Sequence, residues 1–325
     1  MSTPSLQVSQ YRSIEMEYLT QPFRFIDKLE SQFDEKKAIP WMASVWHWSF
    51  YFSALYLALI YLGQRYMKNK DPYNLRRALC MWSALLGLFS LFAVFRIIPH
   101  AWRMVYLSGW RHAVCDERSF IGSTGAGLWA FLFPLSKLPE LVDTAFIVLR
   151  KQKLSFLHYY HHVTVFIYCW YSYAYPVGPG IWFGIVNYCV HAIMYCYYAV
   201  KASGRNPPRW VAKSITTIQL SQMFVGILLN YLSIESLMNN KTCKTNWFAI
   251  AISIFFYASY AVLFANFFYW AYIHKKPRSR NQTDMKHIGN GVTPVKSVAN
   301  GAANGTIPMS VANGTMQNGI RHRRD

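Results

Sequence analysis

Long runs of apolar residues, separated by short polar connections, dominate the chain. A transmembrane helix needs about 20 mostly apolar residues, and seven runs are long enough. They lie at 43–63, 78–98, 127–148, 156–175, 180–200, 211–233 and 247–273. Several runs carry Lys, Glu, Asp, His, Asn or Gln, which lipid would not tolerate on an exposed face. The pattern predicts an all-α polytopic membrane protein with seven transmembrane helices around a cavity.

The two ends of the chain lack such runs. Residues 1–42 begin with a polar stretch and do not show the basic and then apolar pattern of a cleaved signal peptide. Residues 274–325 are basic and rich in Gly, Asn and Ser, with the sequence SVANG occurring twice, a composition that cannot bury a core. We therefore predict an N-terminal lumenal segment at 1–42, a membrane domain at 43–273 and a disordered cytosolic tail at 274–325.

The composition excludes a water-soluble globular domain, because 53% of the residues are hydrophobic and only 14% are charged. The formal net charge is +19, and the basic residues are concentrated on alternate connections. Fifteen lie in the connections that follow the first, third, fifth and seventh runs, against five in the others. Since basic connections stay in the cytosol, this asymmetry predicts a lumenal N-terminus and a cytosolic C-terminus.

Polar side chains recur within the third apolar run, in the sequence Lys137-Leu-Pro-Glu140-Leu-Val-Asp143-Thr144. On a continuous helix, at about 100° per residue, these four polar side chains would share one face. One cation and two carboxylates at membrane depth must face the interior of the bundle. The face is either a structural ion-pair network or part of a functional site, and the residues alone favour neither.

The fourth apolar run begins with three histidines, His158, His161 and His162, at a spacing that places them on one face of a helix. A single histidine at such a position would indicate a buried residue with a hydrogen-bond partner. Three on one face favour a functional site, because imidazole can act as a base, a metal ligand or a nucleophile.

The fifth and sixth runs add two further polar faces. In the fifth run, Asn187 and His191 share a face with three other residues. These are Met194, Tyr195 and Tyr198. In the sixth run, Gln219 and Gln222 lie one turn apart after Thr216, where they either bridge helices or bind a ligand. The aromatic residues of the seventh run are interpreted as packing or as the lining of a cavity.

Five motifs in this order resemble the very-long-chain fatty-acid elongase (ELO) family. They are Lys137-x-x-Glu140-x-x-Asp143-Thr144, His158-x-x-His161-His162, Asn187-x-x-x-His191-x-x-Met194-Tyr195, Thr216-x-x-Gln219-x-x-Gln222 and the aromatic residues of the seventh run. The resemblance implies a seven-span 3-ketoacyl-CoA synthase of the endoplasmic reticulum, with an acyl-binding tunnel and no bound cofactor. Such an enzyme condenses a long-chain acyl-CoA with malonyl-CoA and releases CoA and CO2.

The residues around the histidines resemble the members that act on saturated and monounsaturated long chains. Lys153 stands five residues before His158, where members acting on polyunsaturated chains commonly have Gln. Tyr160 also matches the saturated and monounsaturated subgroup, whereas Tyr159 stands where that subgroup often has Trp. The chain ends Arg321-His-Arg-Arg-Asp325, without the lysine retrieval signal of many members, which leaves the route of retention open.

The resemblance also implies roles for individual residues. His161 would take the acyl group, and His191 with Asn187 would act on the malonyl half. The residues that tune His161 would be His158, His162 and Asp143. Further substrate contacts would come from Lys137, Glu140, Thr144, Tyr195, Gln219 and Gln222. The polyanionic CoA head group is expected to meet cations at the cytosolic ends of the spans, namely Arg150, Lys151, Lys153, Arg209, Lys213 and Lys275.

Two other classes of protein remain open on the residues alone. A membrane di-iron desaturase or hydroxylase also uses His-x-x-His-His boxes, but it needs more ligands than the four histidines in polar intramembrane positions. A seven-helix receptor would have the same orientation without needing a triple-histidine face. An elongase would work with membrane lipid and with the ketoacyl-CoA reductase and dehydratase of the elongation cycle, and an oligomer is compatible with the sequence. Nothing in the sequence indicates binding of nucleic acid.

Two of the six cysteines, Cys115 and Cys243, fall in connections predicted to face the lumen, whereas the other four lie within apolar runs. The lumen of the endoplasmic reticulum is oxidising. We therefore predict a disulfide between Cys115 and Cys243, with two free thiols as the alternative.

Overall fold

The computed structural model describes residues 24–115, 121–122, 125–175, 177–239, 243, 245 and 247–274, and these residues form helices and connections without a strand. The helices are α1 (Arg24–Ser31), α2 (Glu35–Val45), α3 (Trp48–Met67), α4 (Arg76–Ser108), α5 (Trp110–Cys115), α6 (Ala126–Glu140), α7 (Val142–Leu149), α8 (Phe156–Ala174), α9 (Gly180–Ala202), α10 (Arg209–Met238) and α11 (Trp247–Phe268), which continues as a π-helical turn (Tyr269–Ile273). The predicted all-α class is confirmed for the described residues. Residues 1–23 and the predicted tail from residue 275 lie outside them.

Among the described residues, four helical segments are long and apolar enough to cross a membrane, and they are α4, α9, α10 and the continuous segment Trp247–Ile273. The pair α2 and α3, bent by 55°, makes a fifth if both halves belong to one span. The third predicted span is instead divided into α6 and α7, and three histidines lower the hydropathy of α8. A multi-pass membrane protein is thus supported, while the count of seven spans stays a prediction.

The second predicted span is longer than expected. The apolar run was predicted to end at residue 98, but α4 continues through Pro99 to Ser108. The helix ends at Gly109, whose φ of 76° lies in the left-handed region and whose N–H donates to the carbonyl of Val105. Glycine adopts this conformation without the steric penalty that a Cβ imposes. The helix therefore ends at the glycine cap, ten residues beyond the predicted end of the apolar run.

A buried carboxylate ties the N-terminal helix α1 to the rest of the protein. Glu30 of α1 is 4% exposed. Its Oε1 accepts hydrogen bonds from Nε of Arg96 in α4 (2.8 Å) and from Nε1 of Trp129 in α6 (2.7 Å). Arg96 also pairs with Asp27 of α1, at 2.7 Å between Nη2 and Oδ1. Since an unpaired buried charge costs several kcal/mol, this pairing holds α1 against α4 and α6.

Small residues allow two pairs of helices to approach closely. A Cβ on Gly226 of α10 would lie 2.1 Å from Cε1 of Tyr257 in α11. A Cβ on Gly87 of α4 would lie 3.2 Å from the backbone nitrogen of Cys196 in α9. Small residues at such contacts are characteristic of helix packing in membranes, where close approach of the backbones provides much of the attraction. These contacts hold α4 against α9 and α10 against α11.

The structure contains the disulfide expected between Cys115 and Cys243, which are 128 residues apart in the sequence. The bond joins the end of α5 to the connection between α10 and α11. A second link is an ion pair between Arg111 of α5 and Glu235 of α10. Both links hold α5 against the end of α10, at the same end of the protein.

We expect Gly226→Ala to weaken the packing of α10 against α11, because the added methyl group would overlap with the ring of Tyr257. Overpacking of this kind typically costs about 1–3 kcal/mol. The thermal unfolding midpoint of the purified protein in detergent should therefore fall. Ala258→Val, which adds volume on an exposed side of α11, is the control and should leave the midpoint nearly unchanged. Equal midpoints for Gly226→Ala and the wild type would contradict this packing.

Candidate active site

Two adjoining cavities lie between the helices from α6 to α11. The first, the polar chamber, is lined by the three histidines of α8, by polar and aromatic residues of α9, and by Gln219 of α10. The second, the apolar cavity, is lined mainly by aliphatic and aromatic residues such as Phe133, Val165 and Ile181. Four residues line both cavities, and these are His161, Asn187, Gln222 and Met223. The two cavities therefore meet at His161.

Lys137 is the centre of a buried ion-pair cluster formed by Lys137, Glu140, Asn187 and His191. Its Nζ donates to Oε1 of Glu140 (2.7 Å) and to Oδ1 of Asn187 (3.0 Å). Nδ1 of His191 lies 3.6 Å from the same Oε1. The side chains of Lys137 and Glu140 are only 3% and 6% exposed, so each charge depends on the other for compensation.

The sequence left open whether these residues form a structural network or part of a functional site, and the ion-pair cluster does both. It joins α6 to α9 as a structural network, and three of its members also line the polar chamber. Lys137 itself lies behind that lining, with its ammonium group directed at Glu140 and Asn187. Its contribution to the site is therefore to hold two polar groups that do face the chamber.

Asp143 lines the same chamber but has different partners. Its Oδ1 accepts a hydrogen bond from Nε1 of Trp82 in α4, and its Oδ2 accepts one from the hydroxyl of Tyr195 in α9, both at 2.7 Å. A carboxylate with a donor on each oxygen is well satisfied in a buried site. These contacts join α7 to α4 and α9.

The predicted polar face from Lys137 to Thr144 is divided between α6 and α7, although Glu140 and Asp143 both line the polar chamber. α6 ends at Glu140 and α7 begins at Val142, while Leu141 between them keeps helical backbone angles (φ −60°, ψ −25°). Lys137 contacts Asn187 of α9, whereas Thr144 contacts Tyr56 of α3 and His158 of α8.

The three histidines lie in the first two turns of α8. Ser155 caps this helix, with its Oγ accepting a hydrogen bond from the backbone N–H of His158 at 3.3 Å. The rings of His158 and His162 are 4.4 Å apart between centroids, and the ring of His161 is 5.0 Å from that of Tyr260. All three histidines line the polar chamber. Within the described residues, no three His, Cys, Asp or Glu side chains are placed to hold a metal ion.

Thr144 does not line the polar chamber, although a substrate contact was predicted for it. Its Oγ1 lies 2.9 Å from Nε2 of His158 and 2.6 Å from the hydroxyl of Tyr56. The residue is 2% exposed. Its hydroxyl is therefore engaged by two side chains and lies behind His158.

The face predicted on the fifth run is the one that α9 presents to the polar chamber. All five of its residues line the chamber, and they are Asn187, His191, Met194, Tyr195 and Tyr198. Gln219 and Gln222 of α10 complete this wall, with Nε2 of Gln219 3.1 Å from Sδ of Met194. Thr216 lies outside the lining, and its hydroxyl is 3.2 Å from that of Tyr272.

The cations predicted to bind CoA lie outside the lining of the polar chamber. Arg150 is half-buried, and the exposed members are Lys151, Lys153, Arg209 and Lys213. Nζ of Lys151 donates to the backbone carbonyl oxygens of Lys68 (3.2 Å) and Lys70 (2.8 Å), in the connection between α3 and α4. Lys275 is not among the described residues.

Two residues that contact the site were missed by the sequence analysis. Tyr56 of α3 and Trp82 of α4 occur in apolar runs that carry no recognisable motif. Only the structure shows their hydrogen-bond partners. Tyr56 contacts Thr144, which is 88 residues away in the chain, and Trp82 contacts Asp143, which is 61 residues away. A buried polar tip on an aromatic side chain needs a hydrogen-bond partner, but the sequence does not indicate which one.

The chain is similar to known proteins over most of its length. The sequence profile of the ELO: GNS1/SUR4 family matches residues 41–280. The chain is 46% identical over 253 residues to very long chain fatty acid elongase 6 of Gallus gallus, covering 78% of this chain and 95% of the relative. It is 42% identical over 266 residues to the protein of that name from Drosophila melanogaster (80% and 84% covered) and 44% identical over 248 residues to that from Homo sapiens (76% and 93%).

Replacing Lys137 by Met should destabilise the protein by about 3–5 kcal/mol, because Glu140 would stay buried without its cation. The double variant Lys137→Met/Glu140→Gln should recover most of the loss, since it removes both charges. Thermal unfolding in detergent measures both variants, and Lys213→Met, at an exposed lysine, is the control. If the single and double variants were equally unstable, lost packing and not an unpaired carboxylate would be the cause.

Proposed function

The chain belongs to the ELO: GNS1/SUR4 family, and on that basis we propose that it condenses a long-chain saturated or monounsaturated acyl-CoA with malonyl-CoA, giving 3-ketoacyl-CoA, CoA and CO2. It is an enzyme of fatty-acid elongation, and the relatives compared above are very long chain fatty acid elongases. Neither a desaturase nor a receptor is favoured by these relatives. The observation that carries the proposal is the meeting of an apolar cavity and a polar chamber at His161.

The apolar cavity is suited to the acyl chain of the substrate. It follows α8 from His161 to Tyr173, a distance of about 18 Å at the rise of an α-helix. One leaflet of a bilayer, which is spanned by a long acyl chain, is about 15 Å thick. A long saturated or monounsaturated chain would therefore fit with its thioester at the level of His161, and Lys153 in place of Gln supports the same substrate class.

The chemistry proposed for His161 is nucleophilic. Its imidazole nitrogen attacks the thioester carbonyl carbon, a C–N bond forms, the C–S bond breaks, and CoA leaves with the proton that the imidazole loses. Malonyl-CoA then loses CO2, and the resulting enolate carbon attacks the acyl carbonyl carbon. This step forms the new C–C bond and breaks the C–N bond, and the departing nitrogen takes up a proton from water to regenerate the neutral imidazole.

Asn187 is suited to stabilise the negative oxygen that develops in these steps. Lys137 donates to its Oδ1 at 3.0 Å, so the amide NH2 group is the end that remains to donate into the chamber. Preorganised donors of this kind are a major source of catalysis at carbonyl groups. With His191 beside it on α9, Asn187 is proposed to bind the malonyl half, while His158, His162 and Asp143 are proposed to tune His161.

Seven spans around an acyl tunnel complete the proposal. α3 has 20 residues, about 30 Å of helix, which matches the hydrocarbon core of a bilayer. The two shorter helices α6 and α7 together span the same depth, and α8 lies between them and α11. The polar faces of α8, α9 and α10 then enclose the chamber, and lipid-facing residues such as Leu59 and Leu85 remain exposed outside.

We assign the protein to the endoplasmic reticulum membrane, with the N-terminus lumenal and the C-terminus cytosolic. The excess of basic residues on alternate connections supports this orientation. The disulfide between Cys115 and Cys243 supports it as well, because it lies in connections that the orientation exposes to an oxidising lumen.

CoA is proposed to enter from the cytosolic side. The basic connections there would attract its phosphates, and Arg150, Lys151, Lys153, Arg209 and Lys213 would contact the part of CoA that remains outside the polar chamber. The reductase and dehydratase that complete the cycle would meet the enzyme on the same side. Both proposals follow from the orientation and from the chemistry of the substrate.

The purified protein should convert palmitoyl-CoA and labelled malonyl-CoA to a labelled 3-ketoacyl-CoA with release of CO2. His161→Ala should lower the rate by roughly a thousandfold or more, because removal of a nucleophile has effects of that size, without lowering the unfolding temperature. His47→Ala, at an exposed histidine of the chain, is the control. A folded wild-type protein that makes no labelled product would refute the proposed function.

Wild-type protein incubated with acyl-CoA alone should release CoA in stoichiometric amount and carry an acyl group on His161, because the first half of the reaction needs no malonyl-CoA. Free CoA and the masses of proteolytic peptides measure the two products. If CoA appears only when malonyl-CoA is added and no adduct is found, the covalent route is wrong and His161 acts as a base.

A further inference from the structure

A chain of hydrogen bonds links α3 to the histidines of α8. The hydroxyl of Tyr56 lies 2.6 Å from Oγ1 of Thr144, and this atom lies 2.9 Å from Nε2 of His158. Tyr56 is 6% exposed. It is not among the residues that line the polar chamber or the apolar cavity. Tyr56 therefore reaches the polar chamber through Thr144.

The surroundings of Tyr56 offer its hydroxyl little else to bind. Tyr56 and Thr144 both lie along an apolar groove between α3 and α7, among residues such as Phe52, Leu55 and Leu138. Within the described part of the chain, Thr144 is the hydrogen-bond partner of the Tyr56 hydroxyl. A buried donor without an acceptor is strongly disfavoured. The Tyr56 hydroxyl therefore donates to Thr144.

This direction assigns the remaining protons. Oγ1 of Thr144 accepts from Tyr56, and its own hydrogen is then donated to Nε2 of His158. Nε2 is thus the acceptor, and the single ring proton of neutral His158 lies on Nδ1. A proton on Nε2 would instead leave the hydrogen of Thr144 or of Tyr56 without an acceptor. The hydroxyl pair consequently selects one tautomer of His158.

His158 is adjacent to the histidine pair proposed to react. Its ring centroid is 4.4 Å from that of His162, which is 5.8 Å from that of His161. The two nitrogens of a neutral imidazole differ, since one donates and the other accepts a hydrogen bond. The tautomer of His158 therefore determines the direction of the dipole that His162 and the chamber experience.

We propose that Tyr56 is a positioning residue of the active site, which acts through Thr144 to hold His158 as its Nδ1-protonated tautomer and so orients the histidines for reaction. The role in catalysis rests on the proposed function of His161, whereas the role in selecting the tautomer does not. The ring of Tyr56 also lines the apolar groove and lies 6.5 Å from the ring of His162. Removal of the hydroxyl alone leaves these ring contacts in place.

Tyr56→Phe removes the hydroxyl and keeps the ring. With palmitoyl-CoA and malonyl-CoA, kcat should fall roughly tenfold to hundredfold, the effect of losing an outer partner that fixes a histidine tautomer, and KM for acyl-CoA should stay close to that of the wild type. Tyr51→Phe, at an exposed tyrosine of the same helix, is the matched control. The same kcat in the Tyr56→Phe and Tyr51→Phe proteins would overturn the proposal.

Substitutions of Thr144 test whether Tyr56 acts through this residue. Thr144→Val should lower kcat as much as Tyr56→Phe or more, and Thr144→Ser should restore most of the lost rate. The double variant Tyr56→Phe/Thr144→Val should be no slower than Thr144→Val alone, because both changes break the same chain of hydrogen bonds. Fully additive losses would mean that Tyr56 acts by another route, and would overturn the proposal.

NMR of imidazole nitrogens reads the tautomer without any turnover. The signals that disappear in His158→Gln should show a protonated Nδ1 in the wild type and a mixture of tautomers in Tyr56→Phe. A protonated Nε2 in the wild type would overturn the proposal even in an active enzyme. If the wild type showed the expected tautomer but no condensation, the proposed function would fail while the action of Tyr56 on His158 would stand.

Discussion

The ammonium group of Lys137 lies among apolar helices, where a charge without a partner would be strongly disfavoured. Its hydrogen bonds to Glu140 and Asn187 can form together only if α6 and α9 lie side by side in one register. The same bonds orient the amide of Asn187, and Glu140 in turn lies beside His191. Pairing of one buried cation therefore sets both the packing of two helices and the direction of the polar groups in the chamber.

A similar dependence holds for the residues around the histidines. Asp143 is held by Trp82 and Tyr195, and His158 is held by Thr144 and Tyr56. The supporting side chains come partly from α3 and α4, helices whose outer surfaces are apolar. The residues that line the polar chamber are thus held in place by hydrogen bonds from residues that do not line it, such as Tyr56 and Trp82. Such support keeps a reactive group within the narrow range of orientations that catalysis requires.

The division between polar chamber and apolar cavity follows from a change in side chains along the same helices. On α8 the histidines occupy the first two turns, and beyond them Val165 and Cys169 line the apolar cavity. α9 changes in the opposite direction along the chain, from Ile181 and Gly184 to Asn187 and His191. Because these helices line the same two cavities in opposite chain directions, both changes occur at the same depth, which is where an acyl chain would end and its thioester would begin.

The amino-acid sequence alone specified the helical class, the inward faces of α8, α9 and α10, and the pairing of the two cysteines. These features depend on local periodicity, or on the side of the membrane that a connection faces, and both can be read along one chain. The burial of Glu30 against Arg96 and the contacts of Tyr56 and Trp82 with Thr144 and Asp143 were decided by tertiary structure. Each of those contacts joins residues far apart in sequence, and its partner is determined by how the helices pack against one another, which periodicity within a single helix does not encode.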